Sequence, residues 1–215
     1  MNSPINDNIT SVLFSLICKT KFVSNSLNIL CISYDPEKIN GLLINGYSNC
    51  NVHNIKIDSY FKTNTINLDY EKNYFDLIIL DDIIQKFVNP WDILQRLHSL
   101  LKNDGYLFAS IPNMMHINNL VNIINGRFEL TISGPLDKDN LRFFTLNSMK
   151  NLFLSTGFNL QEISSISTEQ GPNELSIVNL ITPSTEPDFI NQYFCFEYIL
   201  KTSPCEIKTL FDYIL

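Results

Sequence analysis

Tyr74-Phe-Asp-Leu-Ile-Ile-Leu-Asp-Asp-Ile-Ile-Gln-Lys-Phe87 is the stretch whose reading decides the fold. Residues 76–80 form a nearly continuous apolar run. A strand with water on one face alternates apolar and polar residues. A strand covered on both faces stays apolar, as in a parallel sheet sandwiched between helices. Asn89-Pro90 follows, a good N-cap and a residue suited to the first helical position, where no backbone donor is needed. Ile93, Leu94, Leu97, Leu100 and Leu101 then recur at helical spacing. Asn103-Asp104-Gly105 reads as the helix stop, with glycine in the left-handed conformation. Residues 106–111 read as the next strand, stopped by Pro112.

The same alternation extends in both directions. Residues 5–20 predict an amphipathic helix with Ile9, Val12, Leu13, Leu16 and Ile17 on one face. Residues 28–33 read as a buried strand. Pro36 opens a helix that turns Ile39, Leu42 and Leu43 inward until Gly46. Residues 52–57 alternate like a second strand, and residues 64–68 read as a weaker third. Past Pro112, a helix over 118–125 ends at Gly126, and a long loop covers 127–144. Thr145 caps a helix with Leu146, Met149, Leu152 and Phe153 on its face, ended by Gly157. Strands over 159–167 and 192–201 flank a helix near 174–180. Strand and helix in alternation predict an α/β fold with a doubly wound, mostly parallel sheet. A chain of 215 residues suits one domain. We divide it into an N-terminal helix (1–27), a core (28–202) and a C-terminal tail (203–215).

Composition narrows the partners. Hydrophobic residues make up 45%, enough for a substantial core. The net charge is −7 with no basic stripe, which argues against nucleic acid as a main partner. The cysteines at 18, 31, 50, 195 and 205 form no C-x-x-C pair, so they read as reduced, mostly buried thiols of a cytoplasmic protein. The three histidines lack metal-ligand spacing, so no metal is expected. Residues 11–18 are too few to span a bilayer, so no membrane partner is expected either.

The order of these features, with Gly105-Tyr-Leu-Phe-Ala-Ser-Ile-Pro-Asn113 and Asp137-Lys-Asp-Asn-Leu-Arg-Phe-Phe-Thr145, resembles class I S-adenosylmethionine-dependent methyltransferases. The likeness is strongest to a bacterial branch found beside sugar- and polysaccharide-modifying enzymes, and it is specific over residues 74–158. It implies a Rossmann-like, seven-stranded sheet whose last strand enters antiparallel. It also implies S-adenosylmethionine as cofactor and methyl transfer to an oxygen or nitrogen of a small or sugar-type acceptor. No particular protein partner is legible.

Such cofactors bind beyond the carboxyl ends of the strands, where the strand order reverses. The resemblance places an acid and several glycines at the first strand and its loop. This chain has Cys31-Ile-Ser-Tyr-Asp-Pro-Glu37 there. Cys31 replaces the acid, and Ser33, Asp35 and Glu37 replace glycines, each adding a side chain where the cofactor would lie. Ser33, Tyr34 and Asp35 are thus the expected cofactor-facing residues, with Tyr34 or Pro36 filling part of the space. Lys56 occupies the place of the ribose-binding acid. Asp58 is either its substitute or a turn residue. Asp69 is either an adenine contact or a solvated loop carboxylate. The helix that follows the second strand in the family is expected to be trimmed to 60–63 or lost. Asp82 is kept, but Gln85 and Lys86 replace a Glu-His pair.

On the substrate side, Asn113 is kept. His116 is either a general base, with a pKa near neutrality, or a helix-capping loop histidine. Asn140 stands for a histidine. Arg142 matches the family, either binding a substrate anion or pairing with Asp137 or Asp139 to order the loop. Phe143 and Phe144 are expected to anchor that loop in the core, and Trp91 to pack at a helix start. Two functions follow: a methyltransferase with an atypical cofactor loop, or a catalytically silent binding or scaffold protein of the same fold.

Overall fold

The decisive run forms the middle of a sheet. In the computed structural model, which describes residues 4–47, 49–57 and 66–205, strand β3 spans Phe75–Asp81 and is buried up to its last residue. It joins β1 (Leu27–Ser33), β2 (Cys50–Lys56), β4 (Leu101–Pro112), β5 (Phe158–Ser167) and β6 (Cys195–Pro204). The described residues form a six-stranded sheet in the order β2-β1-β3-β4-β6-β5. The first four strands pair in parallel, and β6 runs antiparallel to both β4 and β5. The antiparallel last strand agrees with the resemblance. A seventh strand is not present among the described residues. Residues 64 and 65 of the expected third strand, and the trimmed helix at 60–63, lie outside them, and residues 66–68 form no strand.

Two helical layers cover the sheet, as its period-two side-chain pattern requires. Ile29, Cys31, Leu77, Ile79, Phe108 and Ile199 face helices α1 (Pro4–Lys19) and α2 (Pro36–Gly46). Leu30, Ile32, Ile78, Leu80, Leu107 and Leu200 face α3 (Pro90–Leu100) and α5 (Leu146–Ser155). Helix α4 (Ile117–Ile124) packs on α6 (Pro172–Ile181) in a small separate cluster with Tyr193. The caps are local and chemical. Asn89 accepts a bond from the Asp92 amide, and Thr145 forms a reciprocal capping box with Ser148. Gly157, at φ 91°, ends α5 in the left-handed region.

Several local expectations give way to tertiary pairing. Helix α3 stops at Leu100, and β4 begins at Leu101 instead of beyond Gly105. Leu101 pairs with Phe75, and a bulge absorbs residues before Tyr106 pairs with Leu77. The Asn-Asp-Gly turn signal therefore lies inside a bulged strand. Trp91 is 41% exposed and not a packed residue. Of the five cysteines only Cys31 and Cys195 are buried. No described helix is long and apolar enough to cross a membrane.

Candidate functional site

The strand order turns between β1 and β3. From β1 the chain crosses by α2 to β2 on one side, and from β3 by α3 to β4 on the other. Beyond the carboxyl ends of these strands, a cavity of about 140 Å³ opens under α1. It is lined by Ile9 and Thr10 of α1, Tyr34 and Asp35 after β1, Lys38 of α2, and Asp81 and Asp82 at the end of β3.

At Asp81 and Asp82 burial outweighs the partners that each carboxyl has. Asp81 shares the sheet face of Leu77 and Ile79, beneath α1, and the Ser110 hydroxyl donates to its Oδ1 at 3.1 Å. Burial raises its pKa, against the pull of Ser110 and Lys38. Asp82 has φ 53°, a left-handed conformation uncommon outside glycine. Its amide donates to Ser110 Oγ at 2.8 Å, and Gln85 Nε2 donates to its carboxyl. Burial pushes its pKa up to about 7. Asp81 and Asp137 add to the rise, while Lys86 and Gln85 oppose it. A third carboxyl arrives from β6. Glu197 is 2% exposed, and its Oε1 has no hydrogen-bond partner. Burial, then the nearby Asp82 and Asp81, hold its pKa well above the usual carboxylate range, with Ser110 pulling the other way.

A buried ion pair lies behind Tyr34, one of the residues that line the cavity. Lys86 Nζ lies 2.6 Å from Asp137 Oδ2, with both side chains largely buried. The same ammonium lies 4.9 Å from the centre of the Tyr34 ring, a cation–π contact. Burial alone would favour neutral Lys86, but Asp82, Asp137 and Tyr34 outweigh it and keep the ammonium charged. The long loop is strapped to the same turn. The amides of Leu141 and Arg142 both donate to the Gln85 carbonyl, at 3.0 and 2.9 Å.

The sequence-derived candidates scatter around this geometry. Tyr34, Asp35 and Asp82 line the cavity together. Ser33 is fully buried at the end of β1, with an unpartnered Oγ. Asp69 is exposed and does not line the cavity. Asp58 lies outside the described residues. Asn113 is fully buried. Its Nδ2 donates to the Gln192 and Cys195 carbonyls, and its Oδ1 accepts from the Met115 amide. His116 caps α4, with Nδ1 facing the Asn118 amide and Nε2 2.7 Å from the Thr168 hydroxyl. Burial pushes its pKa down to about 4. It is therefore neutral and internally bonded at physiological pH, the geometry of a structural cap.

Arg142 differs from the expected ion pair. It is exposed, and its guanidinium donates to the Val88 and Leu141 carbonyls, while Asp137 is taken by Lys86. Phe144 is buried as expected, but Phe143 is 39% exposed and meets Phe128 edge-on at 5.9 Å. Asn140 donates to the Gly134 and Pro135 carbonyls inside the loop. Lys38, Asp81 and Glu197 were missed by sequence reasoning. Two signals were there: the Asp81-Asp82 doublet closing a fully buried parallel strand, and an acid within the apolar run Tyr193-Phe-Cys-Phe-Glu-Tyr-Ile-Leu200.

Residues 14–163 match the family described as a methyltransferase domain. The chain belongs to this methyltransferase family. Its fold is similar to that of several solved structures. An S-adenosylmethionine-dependent methyltransferase from Archaeoglobus fulgidus superposes with TM-score 0.56 at 12% identity, covering 92% of this chain and 94% of that one. One from Mesorhizobium loti gives 0.53 at 11% identity, covering 92% and 99%. The [4+2]-cyclase SpnF gives 0.53 at 12% identity, covering 90% and 80%. No curated protein matches the chain in sequence.

Family membership implies S-adenosylmethionine as cofactor, and the residues present can be tested against it. Cofactor pockets span about 300–1,000 Å³ and come lined mainly by apolar groups. Here the cavity is about 140 Å³. The loop after β1 carries Tyr34 where a glycine-rich backbone would let the ligand approach, and the Lys86 ammonium, paired with Asp137, lies over that ring. The carboxyl groups at its base suit a cation, but the space does not suit a nucleoside. The residues do not fit the whole cofactor.

Proposed function

We propose that this member of the methyltransferase family is a catalytically silent binding protein that has given up S-adenosylmethionine. The observation that carries this reading is the Tyr34–Lys86–Asp137 assembly beside a cavity of only about 140 Å³. Chemistry on the acceptor side supports it as well. Both nitrogens of His116 face hydrogen-bond partners, and the polar atoms of Asn113 are bonded to the backbone, so neither is placed to take an acceptor's proton or hold its hydroxyl. A methyltransferase fold does not compel methyl transfer, since function resides in the site and not in the scaffold.

Calorimetric titration with S-adenosylmethionine, paired with thermal melting, tests the reading. We expect no binding heat and no melting shift at millimolar ligand. A cofactor present at 100-fold over its Kd would stabilise the fold by about 2.7 kcal/mol, a shift of roughly 5–10 °C for a chain of this size. A shift of that size would overturn the proposal. It would restore the other reading, methyl transfer to an oxygen or nitrogen of a small or sugar-type acceptor, which the family match over residues 14–163 favours.

A further inference from the structure

Between α4 and the buried Leu136, the chain carries a strand-like stretch that belongs to no strand. Arg127-Phe-Glu-Leu-Thr-Ile132 alternates polar and apolar residues, the pattern of a β-strand with one face covered. Yet every residue from 122 to 133 is exposed. Phe128 and Leu130 are each 53% exposed, and Ile132 is 88% exposed. Phe143, in ring contact with Phe128, and Ile123 and Ile124 at the end of α4 widen the patch. Single exposed apolar residues are ordinary, but a contiguous group marks a contact surface. The segment is held at its far end. Gly134, at φ 84°, lies so close to Phe196 that a Cβ there would stand 2.9 Å from the ring.

The backbone has one free edge here. Thr131 is bridged to Asp137: its amide donates to the Leu136 carbonyl, and its carbonyl accepts from the Lys138 amide. In an extended chain, successive residues aim their amide and carbonyl groups at opposite edges. Those of Leu130 and Ile132 therefore point away from Asp137, and among the described residues they have no backbone partner. An unpaired edge beside apolar side chains is a template for another strand.

We propose that this edge pairs with the same edge of a second copy of the chain, giving a two-fold dimer through residues 128–132, antiparallel, with Leu130 opposite Leu130. The side chains select that register. With Leu130 on the axis, Phe128 faces Ile132, Glu129 faces Thr131 and Arg127 faces Ser133. Apolar meets apolar, and no like charges meet. An axis at Glu129 would set its carboxylate against its own copy, and an axis between the two would set Glu129 against Leu130. An axis at Phe128 would run the pairing into Gly126, whose φ of 72° interrupts an extended chain. An axis at Thr131 would need groups already bonded to residues 136 and 138. Size agrees with a pair of copies. A specific interface takes at least about 600 Å² from each partner. Six large side chains, each 39% exposed or more, offer an area of that order. A lipid surface fits less well, because Glu129 sits in the middle of the segment and the net charge is −7. The pairing is independent of whether the site at the carboxyl end of the sheet binds a cofactor.

Sedimentation equilibrium of the full chain at about 100 µM should show a dimer, since interfaces of this size reach micromolar affinity or better. Leu130→Lys sets two ammonium groups face to face and should weaken the dimer about a hundredfold or more. Its circular dichroism should match wild type, because Leu130 is not a core residue. Leu130→Cys should give a covalent dimer on a non-reducing gel after mild oxidation. Residues opposite each other in a hydrogen-bonded antiparallel pair have Cα atoms about 5.5 Å apart, within disulfide range. Thr131→Cys, which faces Glu129, should not crosslink, and neither should wild type with its own five cysteines. A wild-type monomer at that concentration overturns the inference, and a monomer that floats with anionic phospholipid vesicles would assign the patch to a membrane. A dimer that survives Leu130→Lys, or that crosslinks no better in Leu130→Cys than in Thr131→Cys, overturns it as well.

Discussion

Asp76 and the Asp81–Asp82 pair sit near opposite ends of strand β3, and the fold treats them in opposite ways. At the amino end, Asp76 accepts from the Ser24 hydroxyl, the Asn28 amide and Lys102, all at 2.8–2.9 Å. Burial there pushes its pKa up, but these partners outweigh it and the net shift is downward. At the carboxyl end, Asp82 receives Gln85 and the influence of Lys86, and Asp81 receives Ser110. Burial wins at both residues. The same strand thus carries a satisfied acid that ties chain segments together and, at its other end, two acids at which burial outweighs the partners. Stability would be served by repeating the first arrangement at the second end. Carboxyls kept at raised pKa beside a cavity are the pattern expected of a binding site.

The largest test of this contrast is the buried ion pair behind Tyr34. Lys86→Met leaves Asp137 buried without its partner, so it should cost about 3–5 kcal/mol in denaturant unfolding. Adding Asp137→Leu should recover most of the loss, because removing both charges of a buried pair is often neutral. A single mutant as stable as wild type would mean the pair is not the brace we describe. Next, Asp76→Ala should destabilise by roughly 2–3 kcal/mol, since it strands a hydroxyl, an amide and an ammonium that is itself partly exposed. Parity of Asp76→Ala with wild type would erase the contrast at its satisfied end.

The smallest and most telling effect is in pH. Asp82 has its folded pKa raised, so the folded state holds the proton longer than the unfolded chain does. Its contribution to stability is therefore full below the unfolded value near 4 and is lost as pH rises to about 7. Asp76 has its folded pKa lowered, so its contribution is present above the unfolded value and is lost as pH falls through the folded one. Wild type should thus lose on the order of 2 kcal/mol between pH 5 and 7.5 in chemical denaturation. Asp82→Asn should flatten that decline while leaving the acid limb in place. A decline unchanged in Asp82→Asn would assign it to Asp81 or Glu197 instead.

How much of this could be read in advance depended on how far each signal reaches along the chain. The apolar run at 76–80, the Asn89 and Thr145 caps and the Gly157 stop are local, and each acts within a few residues of where it is written. The element order followed from them. The stop expected at Asn103-Asp104-Gly105 is equally local, and it yielded to the pairing of Leu101 with Phe75. The site was less legible because its parts come from distant segments. Lys86 faces Asp137 only because the loop is strapped back on Gln85, and Glu197 meets Asp81 only because β6 enters the sheet beside β4. His116 shows the converse. Its position after a central strand suggests a base, and its burial against Thr168 makes it a cap.

The placement of β6 between β4 and β5 also governs the order in which the chain can be assembled as it is made. Strand β5 pairs with β6, and the open side of β4 is covered by β6 as well. Until residues 195–204 leave the ribosome, β4 presents a bare edge, and β5 has no neighbour to join. A bare edge is a template for pairing with other chains. Nascent chains halted before residue 195 should therefore need a holding chaperone, and Glu197 comes under the influence of Asp81 and Asp82 in the same step that seals the edge.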